Sequence, residues 1–174
     1  VYYYTMDNCL FCKIIKGAEP SSKIYEDEHT YAFLDIFPTN PGHTLVVPKA
    51  HHKNIFDTPV ETLCALMRAV KNITPAIKTG VGADGINIAM NNEKPAGQIV
   101  DHIHIHIIPR FSDDGYKHWG HKLYKDTEME EVADVHAETD PRLCAVAPLA
   151  EAVVHVEVQV AQCRVPDSQF LLSP

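Results

Sequence analysis

Isoleucine and histidine alternate through the segment Gln98–Pro109, and this pattern is the clearest structural signal in the chain. A period of two is typical of a β-strand whose two faces meet different surroundings. We expect the isoleucines to pack against the interior and the three histidines to share the opposite face, with neighbouring histidines about 6.5–7 Å apart. Pro109 should end the strand, because it has no amide hydrogen to donate. The alternating residues are His102, Ile103, His104, Ile105, His106 and Ile107.

Shorter apolar patterns predict four more strands and one short helix. The helix begins after Asn8, has apolar residues three and four positions apart, and ends at Gly17. The four strands alternate in polarity or form short apolar runs that turn residues bound on either side. They cover residues Lys23–Glu26, Thr30–Leu34, His43–Pro48 and Gly85–Met90.

A long amphipathic helix is predicted between the last two of these strands. Thr58 is expected to cap its start, with Pro59 at the first helical position. The helix should run to about Thr79, before Gly80, and Pro75 should kink or divide it. Its buried stripe is expected to consist of Leu63, Leu66, Met67, Val70, Ile73 and Ile77.

Together these elements predict an α+β fold with an antiparallel five-stranded sheet, a short N-terminal helix and one long helix. The crossover helices that join successive strands of a parallel sheet are missing from the pattern. After Trp119 a charged segment predicts further helix to about Val135. The composition then changes at Asp140–Pro141, and residues Val154–Val160 alternate like an exposed strand. That strand would be an extra edge strand, a dimer contact or a non-native extension.

Composition narrows the class of partner. The chain has 174 residues, enough for one domain with a substantial core, and a formal charge of -8. An acidic chain lacks the basic stripe that a nucleic acid polymer requires, whereas a small anionic ligand remains compatible with it. The sequence contains no apolar run of membrane-spanning length and no secretory signal pattern, so we expect a cytoplasmic protein. The five cysteines do not form a regular disulfide framework.

Three imidazoles in register indicate chemistry rather than packing. A sheet face that served stability alone would use valine, isoleucine or threonine. Imidazole serves instead as a nucleophile, a proton carrier or a metal ligand, and it is largely neutral at pH 7. The candidate partners at nearby strand ends are Asp35, His43, Asn91 and Gln98. A carboxylate suits ribose hydroxyls and neutral donors suit phosphate oxygens, so the set is consistent with a nucleotide site.

Cys9 and Cys12 form a Cys-x-x-Cys pair, which in a reducing compartment is half of a zinc site or a redox pair. The redox alternative expects a preceding strand and a thioredoxin-like arrangement, and neither is visible. Zinc would need two further ligands from other parts of the chain.

At this point the chain resembles the histidine triad (HIT) family of nucleotide hydrolases and transferases. Its motif, His-x-His-x-His followed by two hydrophobic residues, is present at residues 102–108. The resemblance extends in order to Phe-Cys-Lys-Ile-Ile at 11–15, Ala-Phe-Leu-Asp-Ile at 32–36, Pro-Gly-His-Thr-Leu-Val-Val-Pro-Lys at 41–49 and Gly-Gln at 97–98. It covers about residues 8–125. We therefore interpret residues 1–7 as a leader, 8–139 as a HIT domain and 140–174 as a C-terminal extension.

The resemblance implies roles for individual residues. His104 would be the nucleophile that forms a nucleotidyl-imidazole intermediate, His106 a phosphate contact and His43 the partner that orients the nucleophile. Asp35 would contact the ribose, and Asn91 and Gln98 the sugar or phosphate. An apolar base slot would be formed by residues whose alternative is ordinary core packing. These are Phe11, Ile14, Phe33 and Ile36.

The resemblance also bears on the metal. Some relatives, mostly bacterial, bind structural zinc through Cys-x-x-Cys and two histidines, and the matching residues here are Cys9, Cys12, His51 and His102. Such a set would close a tetrahedron and perform no chemistry. His52 is an alternative ligand. The chain departs from many relatives at Ile99, where they carry a serine or threonine that can donate to the phosphate, and the residues after Trp119 also leave the family pattern.

Three functional hypotheses follow. The first is a nucleotidyl hydrolase or transferase acting on a phosphoramidate, a mixed anhydride or a dinucleoside polyphosphate. The second is a nucleotide-binding or scaffold protein with weak turnover, and the third is a catalytic metal site built on the histidines. The family resemblance also implies a symmetric homodimer, which an exposed edge strand beside a long helix favours independently. The base and the leaving group are left open.

Overall fold

The computed structural model of the protein describes residues 8–117 and 119–139. These described residues fall into two compact units, one up to residue 115 and the other from residue 116 to residue 139. The predicted leader, the C-terminal extension and the alternating segment Val154–Val160 lie outside the described residues. None of the described helices is both long and apolar enough to cross a membrane.

The first unit contains a five-stranded sheet in which all neighbouring strands are antiparallel, as the sequence predicts. The strand order across the sheet is β1-β2-β3-β5-β4. The strands are β1 Lys23–Glu26, β2 Thr30–Leu34, β3 Thr44–Pro48, β4 Gly85–Ala89 and β5 Ile105–Arg110. The helices are α1 Leu10–Ile15 and α2 Val60–Val81, with a 3-10 turn at Lys94–Ala96.

The long helix α2 covers one face of the sheet. Its buried residues meet the isoleucines of the histidine segment, so the predicted interior face is confirmed. The residues of this core are Ala32, Val46, Leu66, Ala69, Val70, Ile73, Ile103, Ile105 and Ile107. The short helix α1 packs on the opposite face and forms a second core, which contains Cys9, Phe11, Cys12, Ile14, Phe33, Leu45 and Val47.

Strand β5 differs from its prediction at both ends. It begins at Ile105, and its side chains alternate between buried and half-buried from there to Arg110, whereas His102, Ile103 and His104 before it are all buried. Pro109 lies inside the strand and pairs with Ile86 of β4, so the prediction that it ends the strand is wrong. Its carbonyl accepts a hydrogen bond from Asn40, away from β4. The nitrogen and the carbonyl of one strand residue point to the same side, so the nitrogen of Pro109 also faces away from β4. On that side β3 pairs only as far as Ile107, and the N–H that proline lacks is therefore not needed for a strand pair.

The start of α2 also differs from its prediction. Thr58 does not cap the helix, because its hydroxyl donates to the carbonyl of Asn54, and the N-cap residue is Pro59 without any side-chain cap. Met67 is exposed rather than buried, since it lies about 100° around the axis from Leu66. Ala69 takes the corresponding place in the stripe.

The end of α2 lies two residues beyond the prediction, at Val81, with the left-handed Gly82 as its cap. Pro75 is accommodated within a single helix and does not divide it. Residues on either side of it, Ile73 and Ile77, pack against the sheet, and this tertiary contact outweighs one lost backbone hydrogen bond.

The loop before β3 lies closely against the end of α2. Gly42 adopts a positive φ of 85°, and a Cβ atom there would lie 2.9 Å from Cγ1 of Val81 and 3.2 Å from Cγ of Pro109. Only glycine satisfies both the backbone conformation and this spacing. The close approach therefore fixes the position of His43, the next residue.

The second unit contains helix α3, Glu128–Thr139. Its first turn carries Glu128, Glu130 and Glu131, as suits the positive end of a helix dipole. The hydroxyl of Thr127 donates to Glu131 at 2.7 Å. The predicted charged helix is thus present in part: it begins at Glu128 instead of directly after Trp119, and it ends four residues later than Val135.

Candidate active site

The alternation of the histidine segment directs its three imidazoles toward the α1 side of the sheet. His102 is fully buried beside the two cysteines of the N-terminal segment. His104 and His106 line a cavity instead, and their ring centroids are 4.8 Å apart. The segment therefore contributes to two adjoining sites: His102 to the cysteine cluster, and His104 and His106 to the cavity.

The cavity has a volume of about 470 Å³ and a mainly apolar lining. Two aromatic contacts shape its floor: Phe11 packs edge-on against Phe33 at 5.5 Å and against His104 at 5.3 Å. Five of the seven residues predicted to bind substrate line it, namely Phe11, Ile14, Phe33, Asp35 and Ile36. The cavity is thus large enough for a small ligand and adjoins the imidazoles.

Sequence reasoning missed several lining residues. Phe37 is 84% exposed next to the predicted Ile36, and its apolar character after Asp35 was an available signal. The loop residues Glu19, Pro20 and Ser21 had no such signal, because their approach to the cavity depends on how α1 packs. The other residues not foreseen as lining are Leu10, Leu34, Leu45, Gly97 and Val100.

The ring orientation of His104 is set by a backbone carbonyl. Its Nδ1 lies 2.8 Å from the carbonyl oxygen of His102. A carbonyl can only accept, so Nδ1 carries the hydrogen and Nε2 retains an unprotonated lone pair. Burial lowers the pKa of His104, which favours the neutral form. His104 is accordingly held as a neutral imidazole with a free Nε2.

A second chain of hydrogen bonds fixes His43 and His106. The backbone N–H of Thr39 donates to Nδ1 of His43 at 3.1 Å, so the hydrogen of His43 is on Nε2. That Nε2–H donates to Nδ1 of His106 at 3.0 Å, which places the hydrogen of His106 on its own Nε2. This last donor is buried without a hydrogen-bond partner among the described residues.

Burial is also the main cause of the lowered pKa values of this pair. It lowers the pKa of His43, against a smaller raising effect of Asp35, whose Oδ2 lies 3.7 Å from Nδ1 of His43. The pKa of His106 is lowered to about 4 by burial first and then by the neighbouring imidazoles. Both rings are therefore neutral at pH 7, and His106 offers an uncharged N–H donor.

The resemblance implies that His43 orients the nucleophile, and that role stays a prediction. Within the described residues His43 is hydrogen-bonded to Thr39 and His106, and no hydrogen bond joins it to His104. The contact that orients His104 is the carbonyl of His102. The structure thus associates His43 with His106 rather than directly with the predicted nucleophile.

Gln98 and Asn91 do not line the cavity. The Gln98 carboxamide donates to the carbonyls of Lys53 at 2.6 Å and Val100 at 3.0 Å and accepts from the N–H of Glu93 at 2.7 Å. The Asn91 side chain lies against Gly97, where a Cβ would be 3.3 Å from Nδ2. In this conformation both side chains shape the loop before β5, and their contact with substrate stays a prediction.

The four predicted metal ligands converge at one point. The ligand atoms of Cys9, Cys12, His51 and His102 all lie within 4.8 Å of one another. Nδ1 of His102 is 3.4 Å from Sγ of Cys9, 3.6 Å from Sγ of Cys12 and 3.3 Å from Nδ1 of His51. A tetrahedral zinc ion separates such ligand atoms by about 3.3–3.8 Å. The alternative ligand His52 is not in the cluster.

The protonation of His102 also fits a metal ligand. Its Nε2 lies 3.0 Å from the carbonyl oxygen of Pro48, so that nitrogen carries the hydrogen and Nδ1 is free to coordinate. Burial, with the adjacent Cys9, raises the pKa of the Cys12 thiol to about 11. A bound cation would reverse this by stabilising the thiolate. The donor set therefore fits a closed four-ligand metal ion.

Comparison with known proteins agrees with this geometry. A model of the HIT domain matches residues 16–113. The chain is 39% identical over 130 residues to a Saccharomyces cerevisiae protein named adenosine 5′-monophosphoramidase, covering 75% of this chain and 79% of the yeast protein.

Two solved structures share the fold. A HIT family protein of Bacillus subtilis, 41% identical, superposes with a TM-score of 0.69 over 75% of this chain and 96% of its own. A zinc-bound histidine triad protein of Mycobacterium smegmatis, 38% identical, has a TM-score of 0.61 over 79% and 99%. With its triad, its five-stranded antiparallel sheet and these matches, the chain belongs to the HIT family.

Proposed function

We propose that the protein cleaves or transfers a nucleoside monophosphate group through a covalent intermediate on His104. The observation that carries this proposal is the free Nε2 of a neutral, buried His104 beside an unpartnered N–H donor, both on residues that line one cavity. The chain is an enzyme of the HIT family. Its yeast relative is named adenosine 5′-monophosphoramidase, which is an enzyme that acts on a nucleoside phosphoramidate. The substrates we consider are a phosphoramidate, a mixed anhydride and a dinucleoside polyphosphate.

In the first step, Nε2 of His104 attacks phosphorus and forms an N–P bond. For a phosphoramidate the P–N bond to the amine breaks, its electron pair leaves with the amine, and the amine takes up one proton. The imidazole then carries a positive charge, which the carbonyl of His102 stabilises by accepting the Nδ1–H. In the second step, water attacks phosphorus, the N–P bond breaks, and water releases the proton that balances the first step.

The remaining residues bind and orient. The unpartnered Nε2–H of His106 is a donor for a phosphate oxygen, and His43 holds the tautomer that makes this possible. Asp35 lies in the lining, where a carboxylate accepts from ribose hydroxyls. The aromatic floor of Phe11 and Phe33 gives a flat base an apolar surface on which to stack.

We also propose that Cys9, Cys12, His51 and His102 hold a structural zinc ion. When bound, the ion would supply a cross-link between α1 and the sheet and no catalytic step, because all four positions are taken by protein ligands. The link reaches the active site in two ways. Phe11, on the same short helix as Cys12, lines the cavity, and the backbone of His102 orients His104.

Replacement of His104 by alanine is expected to lower kcat/KM for adenosine 5′-phosphoramidate by at least about 10³-fold, since the nucleophile is lost. Steady-state hydrolysis and mass spectrometry of a quenched reaction would measure this, with the nucleotidyl adduct present only in the unmutated protein. His29→Ala, an exposed histidine in the β1–β2 turn, is the matched control. Nucleotide binding without turnover or adduct in the unmutated protein would favour a scaffold role instead.

The lowered pKa values of His43 and His106 predict an unusual acid limit. A group whose pKa is lowered stays neutral as the pH falls through about 6.5, the ordinary value for histidine. We expect the acid limb of kcat/KM to lie below pH 6.5, because the lowered pKa values of His43, His104 and His106 keep all three imidazoles mostly neutral at that pH. A pH profile with a substrate that does not titrate in this range measures this. An acid limb at about 6.5 or higher would contradict the assignment.

Loss of one metal ligand should release zinc and loosen the fold. For Cys12→Ala we expect less than one zinc per chain by atomic absorption and a Tm lower by roughly 5–10 °C, because a metal cross-link contributes directly to folding free energy. Cys64→Ala, outside the cluster, should change neither quantity. Unchanged zinc content in Cys12→Ala would remove the proposed site. Activity that falls at once on chelation, before the fold loosens, would support a catalytic metal instead.

We propose a homodimer as well. β4 lies at an edge of the sheet in the first unit, with Ile88 half-exposed, and α2 exposes Val60 and Met67. An edge strand beside exposed apolar side chains favours pairing with a second copy. Sedimentation at micromolar concentration should give the mass of a dimer. A species with only the monomer mass would contradict the proposal.

A further inference from the structure

We infer that the mouth of the cavity selects substrates whose leaving group is apolar and uncharged, and that Ile99 is a specificity-determining residue for that group. The inference rests on the proposed function, because it names the leaving group of the same reaction. It narrows the three substrate types considered above to one chemical class.

The negative charges of the side chains that line the cavity would repel a leaving group that carries several negative charges. Among the described residues, the carboxylates that line the cavity are those of Glu19 and Asp35, and no lysine or arginine of this part of the chain lines it. A nucleoside phosphoramidate brings one negative charge, which a single donor such as Nε2–H of His106 can meet. A dinucleoside polyphosphate brings several, and they would lie beside carboxylates without a cation.

The mouth offers apolar surface that the fold itself does not use. Ile99 is 89% exposed, Phe37 84% and Ile36 78%, yet all three belong to the lining of the cavity. The buried floor of Phe11 and Phe33 already provides a surface for a base. Ile99 and Phe37, which are not among the residues expected to form the base slot, are therefore available to the other end of the substrate, the group that leaves phosphorus.

Ile99 is presented on a loop that is held in place. Its neighbours Gly97 and Val100 also line the cavity. Between them, the buried Gln98 anchors the loop through three hydrogen bonds, to Lys53, Val100 and Glu93. A side chain on an anchored loop discriminates better than one on a loop that adapts to each ligand. The side chain of Ile99 is a hydrocarbon and cannot form a hydrogen bond. It therefore favours a leaving group that is apolar.

The test compares adenosine 5′-phosphoramidates that differ only in the amine: an unsubstituted amine, 2-phenylethylamine, and phenylalanine, which adds one carboxylate to the same skeleton. A dinucleoside tetraphosphate completes the set. The protein as it exists is compared with Ile99→Ser, Ile99→Lys and the control Phe56→Ser, whose side chain is exposed outside the cavity. Dividing variant by unmutated kcat/KM for each substrate cancels the intrinsic reactivity of the leaving groups.

Ile99→Ser should lower kcat/KM for the phenylethylamine substrate about tenfold and for the unsubstituted amine less than about twofold, as expected for a lost apolar contact. Ile99→Lys should raise the turnover of the phenylalanine and tetraphosphate substrates relative to phenylethylamine by about tenfold. Phe56→Ser should change no ratio. Each variant is also sedimented, so that an effect of association is recognised.

Equal changes for all substrates, or none, would overturn the inference while leaving the chemistry of His104 in place. A changed sedimentation coefficient in Ile99→Ser without a changed substrate ratio would show that a second copy covers the mouth, and would also overturn it. If the unmutated protein turns over none of the four substrates, the proposed function and the inference both fail.

Discussion

The packing of three isoleucines against α2 is the constraint on which the site depends. Ile103, Ile105 and Ile107 are almost completely buried in that core. Because side chains of an extended segment alternate, a shift of one residue would exchange the isoleucines for imidazoles and place polar rings in hydrocarbon. The hydrophobic packing of the isoleucines on one face therefore fixes the register of the segment and, with it, the position of the histidines on the other face. The site is stable because its backbone is shared with the core.

His102 joins the two sites that this backbone carries. Its side chain belongs to the Cys-His cluster, while its carbonyl oxygen accepts from the ring of His104. Its other ring nitrogen is held by Pro48 of β3. Three atoms of His102 are thus held: one ring nitrogen by the cluster, the other by β3, and the carbonyl oxygen by the ring of His104, so the predicted nucleophile is tied to a fixed residue. A site on rigid elements can hold the reacting atom in place without help from the substrate.

Local pattern was sufficient for most of the fold and for the five of the seven predicted substrate residues that line the cavity, because strand period, turn residues and spacing are properties of neighbouring residues. Local pattern was insufficient wherever the conformation of a residue depends on a contact with a residue that is distant in the sequence. Pro109 fits inside a strand because β3 has ended beside it, and the Thr58 hydroxyl turns to Asn54 instead of capping. The pairing of His43 with His106 likewise depends on a tertiary contact that no spacing encodes.

The close approach at Gly42 links helix geometry to proton placement. The loop that carries His43 rests directly on Val81 at the end of α2, with no room for even one methyl group. Displacement of this helix end would therefore be transmitted to His43, whose hydrogen-bonded neighbour His106 lines the cavity. The size of the side chain at position 81 is therefore coupled to the absence of one at position 42, although neither residue is among the described residues that line the cavity.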